Sequence, residues 1–302
     1  MANVRFGIGS ALRCHLPGFR FREVTDRDNC GVQDLLTPLI ALSPQQALRI
    51  NAVMRETCAR TLGLAPLPYE VATEASSDTE ALVIDIAEQF SSDVAQVSSQ
   101  QRQALVAAFG SEVLGVAALM FVADFVPRAL VGFAAFGVPA AEPQAWDHQT
   151  HPADAVLNRF TSAVGAMRGL DPLTTEIIRL RGATQHNCRL CRSLRESTAL
   201  RSGGSESLYA EIESYQESGR LTDAHKAALR YVDALIWTPS ALDDAPDGVL
   251  AHFTVEQAVE ITLDVMRNAT NKIAVALGGD EPRVADGVEE YLLGIDGMPV
   301  FS

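Results

Sequence analysis

Cys188-Arg-Leu-Cys191, with Glu176 twelve residues before the first cysteine, gathers the most reactive side chains of this chain. Two thiols three residues apart on a helix share one face, close enough to form a disulfide and to open it again by thiol exchange. The attacking species in that chemistry is a thiolate, and an unperturbed thiol is mostly protonated near neutral pH. Three features raise the thiolate fraction. The cysteines sit in the first turn of a helix, where free N–H groups and the positive dipole end favour an anion. Arg189, Arg192 and Arg195 add positive charge, Arg195 one helical turn beyond Cys191 on the same face. Glu176 can accept the proton directly or through water. His186, two residues before Cys188, offers a substitute base on the other side of the helix start.

The elements that position these groups follow from local patterns. Asp171 before Pro172 makes an N-cap and first-turn pair, and Leu173, Ile177, Leu180 and Ala183 give a helical stripe. Asn187 caps a new helix carrying both cysteines. Gly203-Gly204 marks a loop, and Thr222 caps the helix that holds Tyr231 and Leu235. Thr254 to Gln257 is a capping box, with Phe253 placed to staple onto Ala258, and the helix it opens runs to a stop at Gly278-Gly279. Val284 to Leu293 reads as a terminal helix.

The composition is 47% hydrophobic with 6% aromatics, rich in Ala and Leu, which favours packed helices over sheet and predicts an all-α fold. A net charge of -14 argues against nucleic acid, whose phosphates need a basic footprint, and against an anionic membrane. Five cysteines in 302 residues do not make a disulfide scaffold. The first ten residues lack an apolar stretch of signal-peptide length, and the longest apolar run, Val113 to Ala123, is too short to span a bilayer. The expected location is cytoplasmic.

The first half reads as a worn copy of the second. Gln46-Ala-Leu-Arg-Ile lies on Glu176-Ile-Ile-Arg-Leu at an offset of 130, which puts Cys58 on Cys188 and Thr61 on Cys191. Further on, Phe109, Glu112, Leu119 and Arg128 match Phe253, Glu256, Leu263 and Lys272. The chain divides into an N-terminal extension (1–30), a degenerate helical unit (31–139), a proline-rich linker (140–152), the unit holding the cysteines (153–280) and a C-terminal extension (281–302). The two units are expected to pack through long helices over Glu112–Ala135 and Val255–Leu277.

The stretch from Asp171 to Cys191 resembles the carboxymuconolactone decarboxylase/alkylhydroperoxidase D family, in which Glu, eleven intervening residues and Cys-x-x-Cys form the redox centre. The family pattern continues with His four residues after the second cysteine, where this chain has Arg195. The resemblance implies an alkylhydroperoxidase D-like helical fold and a thiol-dependent peroxidase or disulfide oxidoreductase. In such an enzyme Cys191 attacks a peroxide oxygen and Cys188 resolves the sulfenic acid as a disulfide. It implies no cofactor beyond the redox-active Cys188–Cys191 couple, a thiol or dithiol reductant as partner, and a homo-oligomer. Arg195 stays protonated at working pH and cannot relay a proton; it holds a thiolate or a substrate carboxylate instead.

Two other readings stay open. One is the lyase branch of the same fold, acting on a carboxylated lactone, which Arg195 favours and the retained thiol pair disfavours. The other is a non-catalytic helical oligomerisation module. A zinc site needs four ligands, and no second Cys/His pair at suitable spacing accompanies the CxxC. Cys14, Cys30 and Cys58 read as inert thiols. His15, His148, His151, His225 and His252 are scattered and form no metal spacing.

Overall fold

Apolar helices with strong caps build most of this molecule, as the composition predicts. The computed structural model describes residues 30–72, 77–139, 143 and 145–301, with side chains from residue 35 onward. Cys14, His15, the side chain of Cys30 and part of the 140–152 linker lie outside the described residues. The first half holds α1 (Cys30–Ala41), α2 (Leu48–Leu62), α3 (Asp78–Asp93), α4 (Ser99–Phe109) and α5 (Val113–Ala135). Short turns α6 (Pro152–Asp154) and α7 (Thr161–Gly165) flank a π-helical stretch over Ala155–Phe160. The second half continues with α8 (Pro172–Gln185), α9 (Arg189–Arg192), β1 (Leu194–Glu196), α10 (Ser197–Arg201) and α11 (Glu206–Tyr209). It ends with α12 (Asp223–Trp237), α13 (Ala245–Leu250), α14 (Val255–Ala269), α15 (Asn271–Leu277), β2 (Glu289–Leu293) and β3 (Pro299–Phe301).

Three of the caps expected from the sequence form, whereas Asn187 does not cap the cysteine helix: it is the left-handed residue after α8, and Cys188 takes the N-cap position. Asp171 accepts from the backbone N–H of Leu173 and Thr174, while Thr222 and Thr254 each close a capping box, with His225 and Gln257. Gly278 ends α15 in the left-handed conformation (φ 71°), where its lack of a Cβ removes the usual penalty. α5 packs along α14 and α15 in one continuous core, to which α2, α3 and α12 contribute. α4 and α5 together are long and apolar enough to cross a membrane by length and composition alone. Within α5 that apolarity serves the core, since both its faces are covered and Phe121, Phe125 and Phe133 are buried. At the centre of this packing Asp124 and Arg128 of α5 pair at 2.9 Å, and Lys272 of α15 reaches the other oxygen of the same carboxylate.

Val284 to Leu293 corrects the all-helical expectation. Its second half is the middle strand of a small three-stranded sheet, parallel to β1 and antiparallel to β3. Gly287 within the segment and Gly297 beyond it are left-handed (φ 77° and 73°) and flank the strand Glu289–Leu293, which interrupts any helix there.

The halves share an arrangement, in a register different from the one expected. α2 opens at Leu48 and α8 at Pro172, so they correspond at an offset of 124. Each helix ends in a left-handed residue, Gly63 (φ 66°) and Asn187 (φ 50°). The next residue then bonds back over the same span, Leu64 N to Ala59 O and Cys188 N to Ala183 O, both 2.9 Å. Arg55 and Arg179 each carry a buried guanidinium to carbonyls of the loop that follows, Pro68 in one case and Cys191 and Leu194 in the other. The offset of 130 fails because Gln46 lies in a 3-10 turn before α2 and Cys58 within the helix, whereas Cys188 caps one. Ala52 therefore stands opposite Glu176, and Leu64 and Leu67 stand opposite the two cysteines.

Candidate active site

The α8 cap sets the phase of the helix so that Glu176 and Arg179, one turn apart, both face inward. They form a two-pronged ion pair, Nε to Oε2 at 2.6 Å and Nη2 to Oε1 at 2.7 Å, with Glu176 only 1% exposed. The Glu196 N–H donates to the same carboxylate at 3.2 Å. Burial alone would lower the Arg179 pKa, but Glu176 outweighs it and holds the guanidinium charged. Arg179 also donates to the carbonyls of Cys191 (2.8 Å) and Leu194 (2.7 Å), and Tyr291 from β2 lays its ring 5.8 Å from the guanidinium carbon. One cation thereby clamps both ends of the segment that carries the second thiol.

Cys188 is the N-cap of α9, its sulfur accepting from the Cys191 N–H at 3.2 Å, so the two thiols do not both lie within one helix as expected. α9 has four residues, too few to sum a substantial macrodipole. The thiolate-favouring charge comes instead from side chains. Cys188 is fully buried and Cys191 partly buried, so Cys191 is the less enclosed of the two. A hydrogen bond from the Cys188 thiol, then Arg179, then the Asn271 side chain lower the Cys191 pKa against the opposing effect of burial. That hydrogen bond and burial push the Cys188 thiol up, keeping its proton in place to donate.

Asn271 opens α15 and ties His186 to this pair. His186 Nδ1 lies 3.0 Å from Asn271 Oδ1, which leaves the amide nitrogen to face the Cys191 sulfur. Burial first, and then Lys272, depress the His186 pKa to about 3, so the ring is neutral. It orients Asn271 and is not a base facing a thiol. Asp280, just past the Gly278-Gly279 stop, accepts from the Arg189 N–H at 3.0 Å and pairs with the Arg189 guanidinium at 2.8 Å. This fastens α9 to the end of α15.

Arg195 lies elsewhere than its spacing suggested. The chain leaves α9 into β1, where Arg195 pairs with Glu206 at 2.6 and 2.8 Å, stacks on Tyr209 at 5.5 Å and donates to the Arg192 carbonyl. The helix stops at Arg192, so a one-turn relation to Cys191 does not exist. Glu176 likewise gives its carboxylate to Arg179 and the Glu196 N–H; among the described residues neither thiol is one of its polar partners. Cys58 is buried in the core, its thiol pushed up to about 12 by burial and then Asp124.

Arg179, Asn271, Tyr291 and Asp280 are the site residues the sequence reasoning missed. Arg179 carried a signal, its i,i+3 spacing from Glu176; the others come from distant segments and carried none. On the far side of Glu176 and Arg179 lies a cleft of about 100 Å³ that Asp264 and Tyr291 also line. Burial raises Asp264 to about 7 against the pull of Arg267. Among the described residues, no three His, Cys, Asp or Glu side chains converge where a metal ion could sit.

The chain is 50% identical over 279 residues to the uncharacterized protein Rv2313c of Mycobacterium tuberculosis H37Rv, covering 90% of this chain and 98% of that protein. The same figures hold for the uncharacterized protein MT2376 of M. tuberculosis CDC 1551. The uncharacterized protein YnjA of Escherichia coli K12 is 27% identical over 138 residues, covering 40% of this chain and 75% of that protein. No protein-family model and no solved structure matches. With half of all positions shared over nearly the full length of both proteins, the chain belongs to the family of Rv2313c and MT2376.

Proposed function

We propose that the chain is a thiol-dependent peroxidase of the alkylhydroperoxidase D-like kind, working through Cys188 and Cys191. The observation that carries this reading is the asymmetry of the pair. The less enclosed Cys191 has its thiolate favoured by the Cys188 thiol, Arg179 and Asn271, beside a buried Cys188 that keeps its proton.

In the proposed cycle the Cys191 thiolate attacks one peroxide oxygen. An S–O bond forms, the O–O bond breaks, and the leaving oxygen departs as an alcohol or water after taking up a proton. The Cys188 sulfur then attacks the sulfenic sulfur. Its own proton goes to the departing hydroxide, water leaves and the disulfide closes. A thiol or dithiol reductant returns both cysteines to the reduced state by exchange. Glu176 serves by fixing Arg179 rather than by taking the proton itself. The lyase alternative relied on Arg195 as a carboxylate clamp, and Glu206 occupies that guanidinium.

The test is stopped-flow mixing of the reduced protein with hydrogen peroxide and with an organic hydroperoxide, counting thiols before and after. The reading requires two thiols lost per peroxide consumed, with both restored by dithiothreitol. Thiols that stay free after peroxide is added would remove it.

A further inference from the structure

At the place where the second half carries its thiols, the first half carries an apolar cavity. Under the 124-residue correspondence Leu64 and Leu67 replace Cys188 and Cys191. The loop they belong to forms one wall of a space of about 650 Å³. Leu130 and Val131 of α5 form the facing wall, and Pro68 and Trp146 border it. The volume falls in the range of sites that take whole small molecules.

The chemistry of the walls narrows the occupant. Every residue lining the space is apolar; none is charged. Arg55, the counterpart of Arg179, is fully buried behind the loop, engaged by the Leu42 and Pro68 carbonyls and lying 5.9 Å from the Trp146 ring. Ala52 stands where the second half has Glu176, and the carboxylate near Arg55 is instead Glu70, which does not line the space. An ionised ligand would find no charged group on the lining itself, and Arg55 behind it is already engaged by two carbonyls, so desolvation disfavours a charged occupant.

We infer that this cavity is a binding site for a neutral, hydrocarbon-rich small molecule, derived from the position of a thiol centre and stripped of its reactive groups. The inference rests on the loop geometry and the lining. It stands whether or not Cys191 reduces peroxides.

Trp146 is a built-in reporter, because the chain has two tryptophans and of these Trp146 is the one that lines the space. In a Trp237→Phe background, dodecanol and dodecanoate are titrated against Trp146 fluorescence, with N-phenylnaphthylamine as an independent neutral probe. The expected result is saturable binding of one dodecanol per chain, at least tenfold weaker binding of dodecanoate, and displacement of the probe by dodecanol. Ala134 lines the cavity from its exposed side, so Ala134→Phe should fill the mouth without disturbing the core. It should abolish dodecanol binding while leaving the melting temperature and Cys191 alkylation unchanged. Three results would each overturn the assignment: no saturable binding of dodecanol, equal affinity for dodecanoate, or binding untouched by Ala134→Phe. A drop in oligomer size caused by Ala134→Phe would do so too, by marking the face as a contact between copies.

Discussion

Replacing Arg179 separates a thiol tuned by a fixed cation from one activated by direct proton transfer. Arg179→Met alone would strand the Glu176 carboxylate, 1% exposed, without its partner. Breaking a buried pair in this way costs about 3–5 kcal/mol. The informative variant is therefore Glu176→Gln/Arg179→Met, which removes both charges, compared with Glu176→Gln alone. An opposite charge beside a titrating group usually moves its pKa by about 1–3 units, and one unit is about 1.4 kcal/mol. Losing the cation should raise the Cys191 pKa by that amount. Alkylation by iodoacetamide near neutral pH should then slow by roughly ten- to a hundredfold, and the deficit should close as pH passes the new pKa. Glu176→Gln alone removes a negative charge and leaves the cation, so the Cys191 midpoint should stay or fall. The assay is the pH dependence of alkylation, followed by mass spectrometry of the peptide holding both cysteines. A deficit in the double variant that is constant across pH would refute the reasoning, since a charge effect must vanish once the thiol is ionised. A hundredfold loss of peroxide turnover in Glu176→Gln, with the Cys191 midpoint unmoved, would restore Glu176 as a general base.

Other outcomes follow from the same contacts. Asn271→Ala should raise the Cys191 midpoint by less than the Arg179 change does, because a neutral hydrogen bond is lost; an unchanged midpoint would take Asn271 out of the site. Arg195→Ala should leave the Cys191 pH profile alone and lower stability by about 1–2 kcal/mol through lost stacking and pairing, read by chemical denaturation. Cys58 should resist alkylation in the native protein at pH values where Cys191 reacts, and become reactive only on unfolding. Asp264 has a folded pKa of about 7 against an ordinary 3.8, so the proton it holds stabilises the fold fully below about pH 4. That contribution is lost as pH rises through about 7, so Asp264→Asn should raise the melting temperature more at pH 8 than at pH 5. The reverse order would show that Asp264 is ionised in the fold.

Much of the helical scaffold was legible because its signals are local. Asp171-Pro172, Thr222 and the Thr254–Gln257 box each act within one turn, and Gly278 marks a stop that only a left-handed residue satisfies without strain. The thiol pair stands out as a local motif, whereas the partner that Glu176 takes, Arg179, was not expected. Arg195 was misplaced because its assignment assumed that α9 continues. What ends the helix at Arg192 is pairing of the next residues with β2, a strand almost a hundred positions later. Asn271 and Tyr291 were invisible because nothing in a neighbouring stretch says that an amide from α15 or a ring from β2 will arrive at Cys191 and Arg179. The two halves align in sequence at an offset of 130 but in their helix starts at 124, because apolar helical stripes match at several offsets. The left-handed exits at Gly63 and Asn187 agree with the 124 offset.

The central claim is that Cys191 attacks and Cys188 resolves, and trapping the intermediate tests it directly. Reduced Cys188→Ser protein is mixed with one equivalent of hydroperoxide in the presence of dimedone, and the adduct is located by peptide mass spectrometry. The account predicts a sulfenic adduct on Cys191 in that variant, none on Cys188 in Cys191→Ser, and a Cys188–Cys191 disulfide in the unaltered protein. An adduct on Cys188 in Cys191→Ser, with Cys191 unmodified in Cys188→Ser, would contradict it.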